Sequence, residues 1–170
     1  KKHGCTLSLL PVDPPGQEQK SQWLQIRRDK PDYVIMYGWG VMNQVAIQEA
    51  VNIKFPMDHM MGIWWSGSEN DVGPAGAGAN GYKSISFHGV GADYPIYADL
   101  KKYVFDAGKA AGAGDQLGTV LYSRGMYAAM IISEAIRTAQ EKTGKAAVTP
   151  EEVRDGFENL NLTEARLTEL

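Results

Sequence analysis

The chain has 170 residues, 44% of them hydrophobic and 22% charged, with a formal net charge of −3. That is the length and composition of one ordinary globular domain. The scattered lysines and arginines form no basic face for nucleic acid, and no apolar run approaches the ~18–20 residues needed to cross a bilayer. The signal-peptide pattern is also absent. A single cysteine, Cys5, excludes an internal disulfide framework and a cysteine-rich metal site. It reads as a small buried residue in a strand.

Lys1-Lys2-His3 followed by Gly4 reads as the last turn of a helix and its C′ glycine, which places the helix itself before residue 1. Thr6 to Val12 reads as a strand, ended by the turn Asp13-Pro14-Pro15-Gly16. A helix is expected over Gln17–Arg28, with Trp23 and Ile26 on one side, closed by Asp29-Lys30-Pro31. Tyr33 to Tyr37 is an apolar run without alternation, as in a strand covered on both faces of a parallel sheet. From Met42, the positions Ala46, Ala50 and Ile53 recur at helical spacing, and Met60–Trp65 and Tyr82–Phe87 read as further strands. Strand and helix in alternation predict an α/β doubly wound layer.

Beyond His88 the pattern becomes helical. Ile96, Leu100, Val104 and Ala107 form one stripe; Leu121, Gly125, Ala128, Ile132, Ala135 and Ala139 form a longer one, ended by Gly144. Thr149-Pro150-Glu151-Glu152 is a capping box with proline at N1, and Val153, Phe157 and Leu160 continue its apolar face. Three helices without a strand between them need a sheet to bury against. The chain is therefore expected to be part of a larger protein, with a boundary at residues 88–93.

Gly76-Ala77-Gly78-Ala79-Asn80-Gly81 matches G-x-G-x-x-G, the dinucleotide fingerprint. That chemistry needs a strand before the glycines and a helix N-terminus after them for the pyrophosphate. Here Pro74 and a polar loop precede and a strand-like segment follows, so a flexible loop is expected. His3, His59 and His88 stand apart, without metal-ligand spacing, and read as loop or surface residues. Trp65-Ser66-Gly67-Ser68 does not satisfy G-x-S-x-G. Glu151, Glu152, Glu164 and Glu169 read as helix-terminal or solvated carboxylates. No catalytic group, metal or cofactor is expected from these residues.

Aromatic residues at strand ends carry the functional signal. Tyr37-Gly38-Trp39-Gly40 follows one apolar strand and Trp64-Trp65-Ser66-Gly67 another. Open α/β sheets bind ligands outside the carboxyl ends of their strands. Trp39 and Trp64 are the candidate contacts, and Gly38 lets the backbone come close; Trp65 reads as a cap on the core. Tyr127 and Arg124, near the start of the long helix, read equally as a packed phenol and a surface arginine or as site residues.

These segments, from Trp23-Leu24 through Pro31-Asp32-Tyr33-Val34-Ile35 and Tyr37-Gly38-Trp39-Gly40, resemble the second lobe of Leu/Ile/Val-binding-protein-like receptors. Phe55-Pro56-Met57, Gly62-Ile63-Trp64-Trp65-Ser66, Gly81-Tyr82 and Tyr122–Ala139 extend the resemblance over nearly the whole chain. It implies a type I periplasmic binding fold, here incomplete: two α/β lobes joined by crossovers, clasping a ligand by hinge closure. On that pattern residues 1–87 are most of the second lobe without its first strand and helix. Residues 88–93 are a crossover and 94–170 helical material of the first lobe. It further implies a non-enzymatic, extracytoplasmic solute receptor that delivers its ligand to an ABC permease, completed by the remainder of the receptor chain. A sensing domain of the same fold, or an enzyme whose active residues lie upstream, are the alternatives.

By the same resemblance, Trp39 matches an aromatic ligand contact and Tyr127 a helix tyrosine facing the cleft. Trp64 stands where the branched-chain amino-acid receptors carry the glutamate that pairs with the ligand ammonium. The resemblance implies an amino acid as the ligand class; this departure weakens that reading and makes an aromatic or small organic acid its rival, with Arg124 as a carboxylate partner, unless Glu69 folds back to replace the lost acid.

Overall fold

A computed structural model describes residues 3–170, so the reading of Lys1 and Lys2 as a helix end lies outside the described residues. The chain divides into two compact units, Lys1–Phe87 and His88–Leu170.

In the first unit, α1 spans Lys20–Asp29 and presses Trp23 and Ile26 into the core. It stops at Lys30, whose left-handed backbone (φ 47°) turns its N–H onto the Ile26 carbonyl. The helix begins later than expected because Gln19 is drawn inward, where its amide donates to the Gly16 and Met42 carbonyls. Strands β1 (Val34–Met36), β2 (Met60–Gly62) and β3 (Lys83–Ser84) form a parallel sheet in that order. Val34 pairs with Met60 and Gly62 with Ser84. Between β1 and β2 lies α2 (Val41–Asn52), whose Ala46, Ile47 and Ala50 are buried with Trp23, Met36 and Met60.

Two expectations fail here for related reasons. The sheet is covered on one face only: Val34 and Met36 pack beneath the helices, while Ile35 remains 66% exposed beside exposed Tyr33 and Tyr37. Thr6–Val12 is no strand. Among the described residues no strand pairs with it, although the Gln22 amide donates to the Pro11 carbonyl (2.8 Å), and Leu7 and Leu9 lie in solvent while Leu10 touches the core. Cys5, expected to be buried in that strand, is exposed accordingly.

The three strands are also shorter than the apolar runs that contain them: β1 ends at Met36, and just past Gly62 the chain closes a turn in which the Ser66 N–H donates to the Ile63 carbonyl. A short helix α3 (Glu69–Val72) follows, and then a 3₁₀ segment, Gly73–Ala79, takes the place of the expected flexible loop. Gly76 breaks that segment with φ 53°, and Gly78 packs so closely on Val51 that a side chain would overlap it. The run enters β3 rather than a helix, so the pyrophosphate cradle the glycine motif would need is not formed.

The second unit is helical among its described residues. Helix α4 (Pro95–Leu100) continues into a π-helical turn, Lys101–Phe105. Tyr97 is the buried residue of this element, its hydroxyl hydrogen-bonded to Ser123, while Ile96, Leu100 and Val104 are half-covered and Ala107 is exposed. Helix α5 runs from Val120 to Thr143, capped by Thr119 at its start and by left-handed Gly144 at its end. Its predicted stripe is buried only in its C-terminal half. Ala135 and Ala139 are covered, whereas Leu121 and Ile132 remain about half-exposed.

Helix α6 (Pro150–Glu158) forms the expected capping box between Thr149 and Glu152. It crosses α5 at Gly156, where a Cβ would lie 2.1 Å from the Ala135 carbonyl oxygen. Helix α7 (Glu164–Glu169) was not foreseen. Arg166 fastens it to α5 through both oxygens of buried Glu134 (2.6 and 3.0 Å), which also accepts from Arg137. Hydrogen bonds from Arg166 and then Arg137 hold the Glu134 carboxyl down at about 2, against an ordinary 4.5. Glu169, read as solvated, pairs with Arg166.

Candidate functional site

The carboxyl ends of β1 and β2 release two loops, and each carries tryptophan. Trp39 and Trp65 are about half-exposed and meet edge to face, ring centroids 6.0 Å apart at 86°. Trp64, partly buried, tilts against Trp65 at 5.8 Å and 59°. The three rings make one aromatic rim at the end of the sheet where open α/β folds bind ligands. Trp65, expected to cap the core, belongs instead to this rim. Its indole is half in water and its carbonyl is the part tied inward.

That tie comes from α2. The Asn43 side chain, fully buried in the first turn, donates from Nδ2 to the Trp65 carbonyl (2.8 Å) and to Asp71 Oδ1 (3.1 Å). The second Asp71 oxygen receives the Ser68 N–H and hydroxyl, which closes the start of α3. Ser66 donates to the Gly38 carbonyl (2.8 Å), bonding one tryptophan loop to the other. Tyr82, just before β3, donates its hydroxyl to the Ser66 carbonyl. Burial, and then the charge of Asp71, push the Tyr82 phenol above its usual range, so it remains a donor throughout ordinary pH.

Asn43 Oδ1 is the exception in this network: it is buried and accepts no hydrogen bond among the described residues. An unmet buried acceptor costs on the order of 1–3 kcal/mol. Gly38 makes room for it, since a Cβ there would sit 2.8 Å from that oxygen. Gly38, expected to let the backbone approach a ligand, thus has an inward role.

In the second unit Arg124, Tyr127 and His88 come together. Arg124 Nε donates to His88 Nε2 at 3.3 Å, and His88 Nδ1 lies 2.8 Å from the Gly89 carbonyl. A carbonyl can only accept, so the imidazole is the Nδ1–H tautomer, with its Nε2 lone pair turned to the guanidinium. Tyr127, 42% exposed, stacks on the same ring at 6.3 Å. Tyr127 is therefore neither a packed phenol nor alone. His88, read as an isolated loop residue, is the centre of the cluster.

The residues that sequence reasoning missed are Asn43, Ser66, Ser68, Asp71, Tyr82 and His88. Only the Ser68-x-x-Asp71 spacing carried a local signal, that of a helix start. No group of three or more potential metal ligands occurs among the described residues. No helix among them is long and apolar enough to cross a membrane.

Residues 1–168 match the family described as periplasmic binding protein. Among solved structures, the chain is similar to one described as an ABC transporter permease from the Pseudomonas fluorescens group. The two are 43% identical over 94% of this chain, with a TM-score of 0.85, and the chain spans 39% of that protein's length. No curated protein matches. The chain belongs to the periplasmic binding protein family, and its α/β fold is of the type I class within it.

Proposed function

We propose that the chain is the solute-capturing part of an extracytoplasmic receptor serving an ABC permease, and that its solute is an aromatic or small organic acid. The observation that carries this reading is the rim of Trp39, Trp64 and Trp65 at the carboxyl ends of β1 and β2. Flat indole faces favour a flat, weakly hydrated ligand.

Trp64 occupies the place that a glutamate holds in the amino-acid receptors the chain resembles. An ammonium buried without that carboxylate loses several kcal/mol, on the order of what a solute site can supply, whereas a cation over an indole face recovers only ~0.5–2 kcal/mol. In the second unit Arg124 is the proposed partner of a solute carboxylate, with Tyr127 beside it. Family membership supports a role in binding rather than turnover.

Thermal melting of the gene product against benzoate, phenylacetate, leucine and phenylalanine tests the proposal. A bound solute at 100 times its dissociation constant adds ~2.7 kcal/mol of stability. The aromatic acids are expected to raise the melting temperature and leucine to leave it unchanged. A shift with leucine and none with the aromatic acids would reject the organic-acid reading.

A further inference from the structure

We infer that Asn43 is a positioning residue for the tryptophan rim, its one buried carboxamide setting the mutual orientation of Trp39 and Trp65. The inference rests on the reading of that rim as the solute-contacting face.

The geometry leaves the amide a single orientation. Two acceptors, the Trp65 carbonyl and Asp71 Oδ1, face the same atom of Asn43, which must be the NH₂ nitrogen. Oδ1 is thereby turned toward Gly38, the residue immediately before Trp39. One planar group of six atoms thus touches the backbone of both loops: nitrogen on the Trp65 loop, oxygen against the Trp39 loop. Through Asp71 it also reaches Ser68, so the Trp64–Ser68 segment is pinned near both its ends.

Stability alone is a poor explanation for an asparagine at this place. It lies among Met42, Ala46, Ile47 and Ala50 on the buried side of α2, where leucine would suit the pattern, and half its hydrogen-bonding capacity is unmet. What a leucine could not do is hold the Trp65 carbonyl. Binding surfaces whose side chains are locked beforehand lose less freedom on capturing a ligand. A buried donor beneath an exposed aromatic pair is such a lock.

The test uses the chain's own chromophores. Of its four tryptophans, Trp23 is buried in the core and the other three form the rim. Rings held about 6 Å apart at fixed angles give a coupled circular-dichroism signal. In Asn43→Ala this rim signal is expected to fall by at least half. In Ile47→Ala, a core variant of the same helix, the melting temperature should fall while the signal persists. Gly38→Ala, which pushes a methyl against Oδ1 from the other side, is expected to disturb the signal as Asn43→Ala does, and it serves where the alanine variant does not fold. An unchanged signal in a folded Asn43→Ala or Gly38→Ala protein, or an equal loss in Ile47→Ala, overturns the inference. Benzoate affinity of the gene product is the second arm, with a tenfold or greater weakening expected in Asn43→Ala. A lost rim signal with unchanged benzoate affinity would uphold Asn43 as positioning residue and reject the rim as the solute contact.

Discussion

In residues 1–87 a parallel sheet gives two helices an apolar floor, and Ile47 and Met60 lose all contact with water. Residues 88–170 have no sheet among them. Their most buried apolar side chains are the methyls of Ala135 and Ala139, and next to these an ionised carboxylate, Glu134, is buried as well. The first unit orders its elements by area removed from water, which is non-directional and tolerant of small shifts. The second orders them by a close helix crossing at Gly156 and by the fan of arginines on Glu134, which depend on exact placement and on charge. Each unit is correspondingly vulnerable to a different kind of change.

The largest effect should come from the first unit's core. Ile47→Ala removes a side chain with no exposed surface and is expected to cost ~2–5 kcal/mol. Denaturant unfolding measures it, and loss of hydrogen-exchange protection should be confined to β1, β2 and α2. Gly156→Ala should cost ~1–3 kcal/mol, because its new methyl meets backbone, the Ala135 carbonyl, and helix propensity offsets only part of the strain. Its mark should be faster exchange in α5 and α6 with the sheet unaffected. A substitution of this kind that loosened both units equally would contradict the contrast drawn here.

Glu134→Gln should act more mildly, ~1 kcal/mol, since Arg137 and Arg166 are already 40% and 31% exposed and can turn to water. The same carboxylate fixes the pH dependence. Its acidity is enhanced by folding, so its contribution is complete above the ordinary value of 4.5 and is lost as pH falls from there towards about 2. Exchange in α7 is expected to accelerate across that window while β1 and β2 stay protected. In Glu134→Gln the acid dependence should vanish.

How much of this was legible in the sequence follows the same division. Features written within a few residues were readable: the Thr149–Glu152 box, Gly144 after the long helix, the Asp29-Lys30-Pro31 stop and the tryptophans at strand ends. Strand extents were not, because pairing depends on neighbours: Thr6–Val12 has strand-like residues but no strand to pair with among those described. The buried polar contacts were also hidden. Asn43 meets Trp65 across 22 residues, Ser66 meets Gly38 across 28 and Arg166 meets Glu134 across 32. In the sequence each is an ordinary polar residue on a helix or in a loop. The placing of Trp39 and Trp64 just past strand ends could be read because local position suffices; the polar lattice beneath the rim they form with Trp65 could not.

The smallest effect on stability, and the most telling, belongs to Trp39. Half in water, it should be replaceable by alanine for less than ~1 kcal/mol. The decisive measurement is therefore calorimetric titration of benzoate into the gene product and its Trp39→Ala variant, with melting temperatures recorded on both. A rim that contacts a flat acid predicts a nearly unchanged melting temperature and at least a tenfold loss of affinity. Equal affinity in the two proteins, or tight binding of leucine that Trp39→Ala leaves intact, would contradict it.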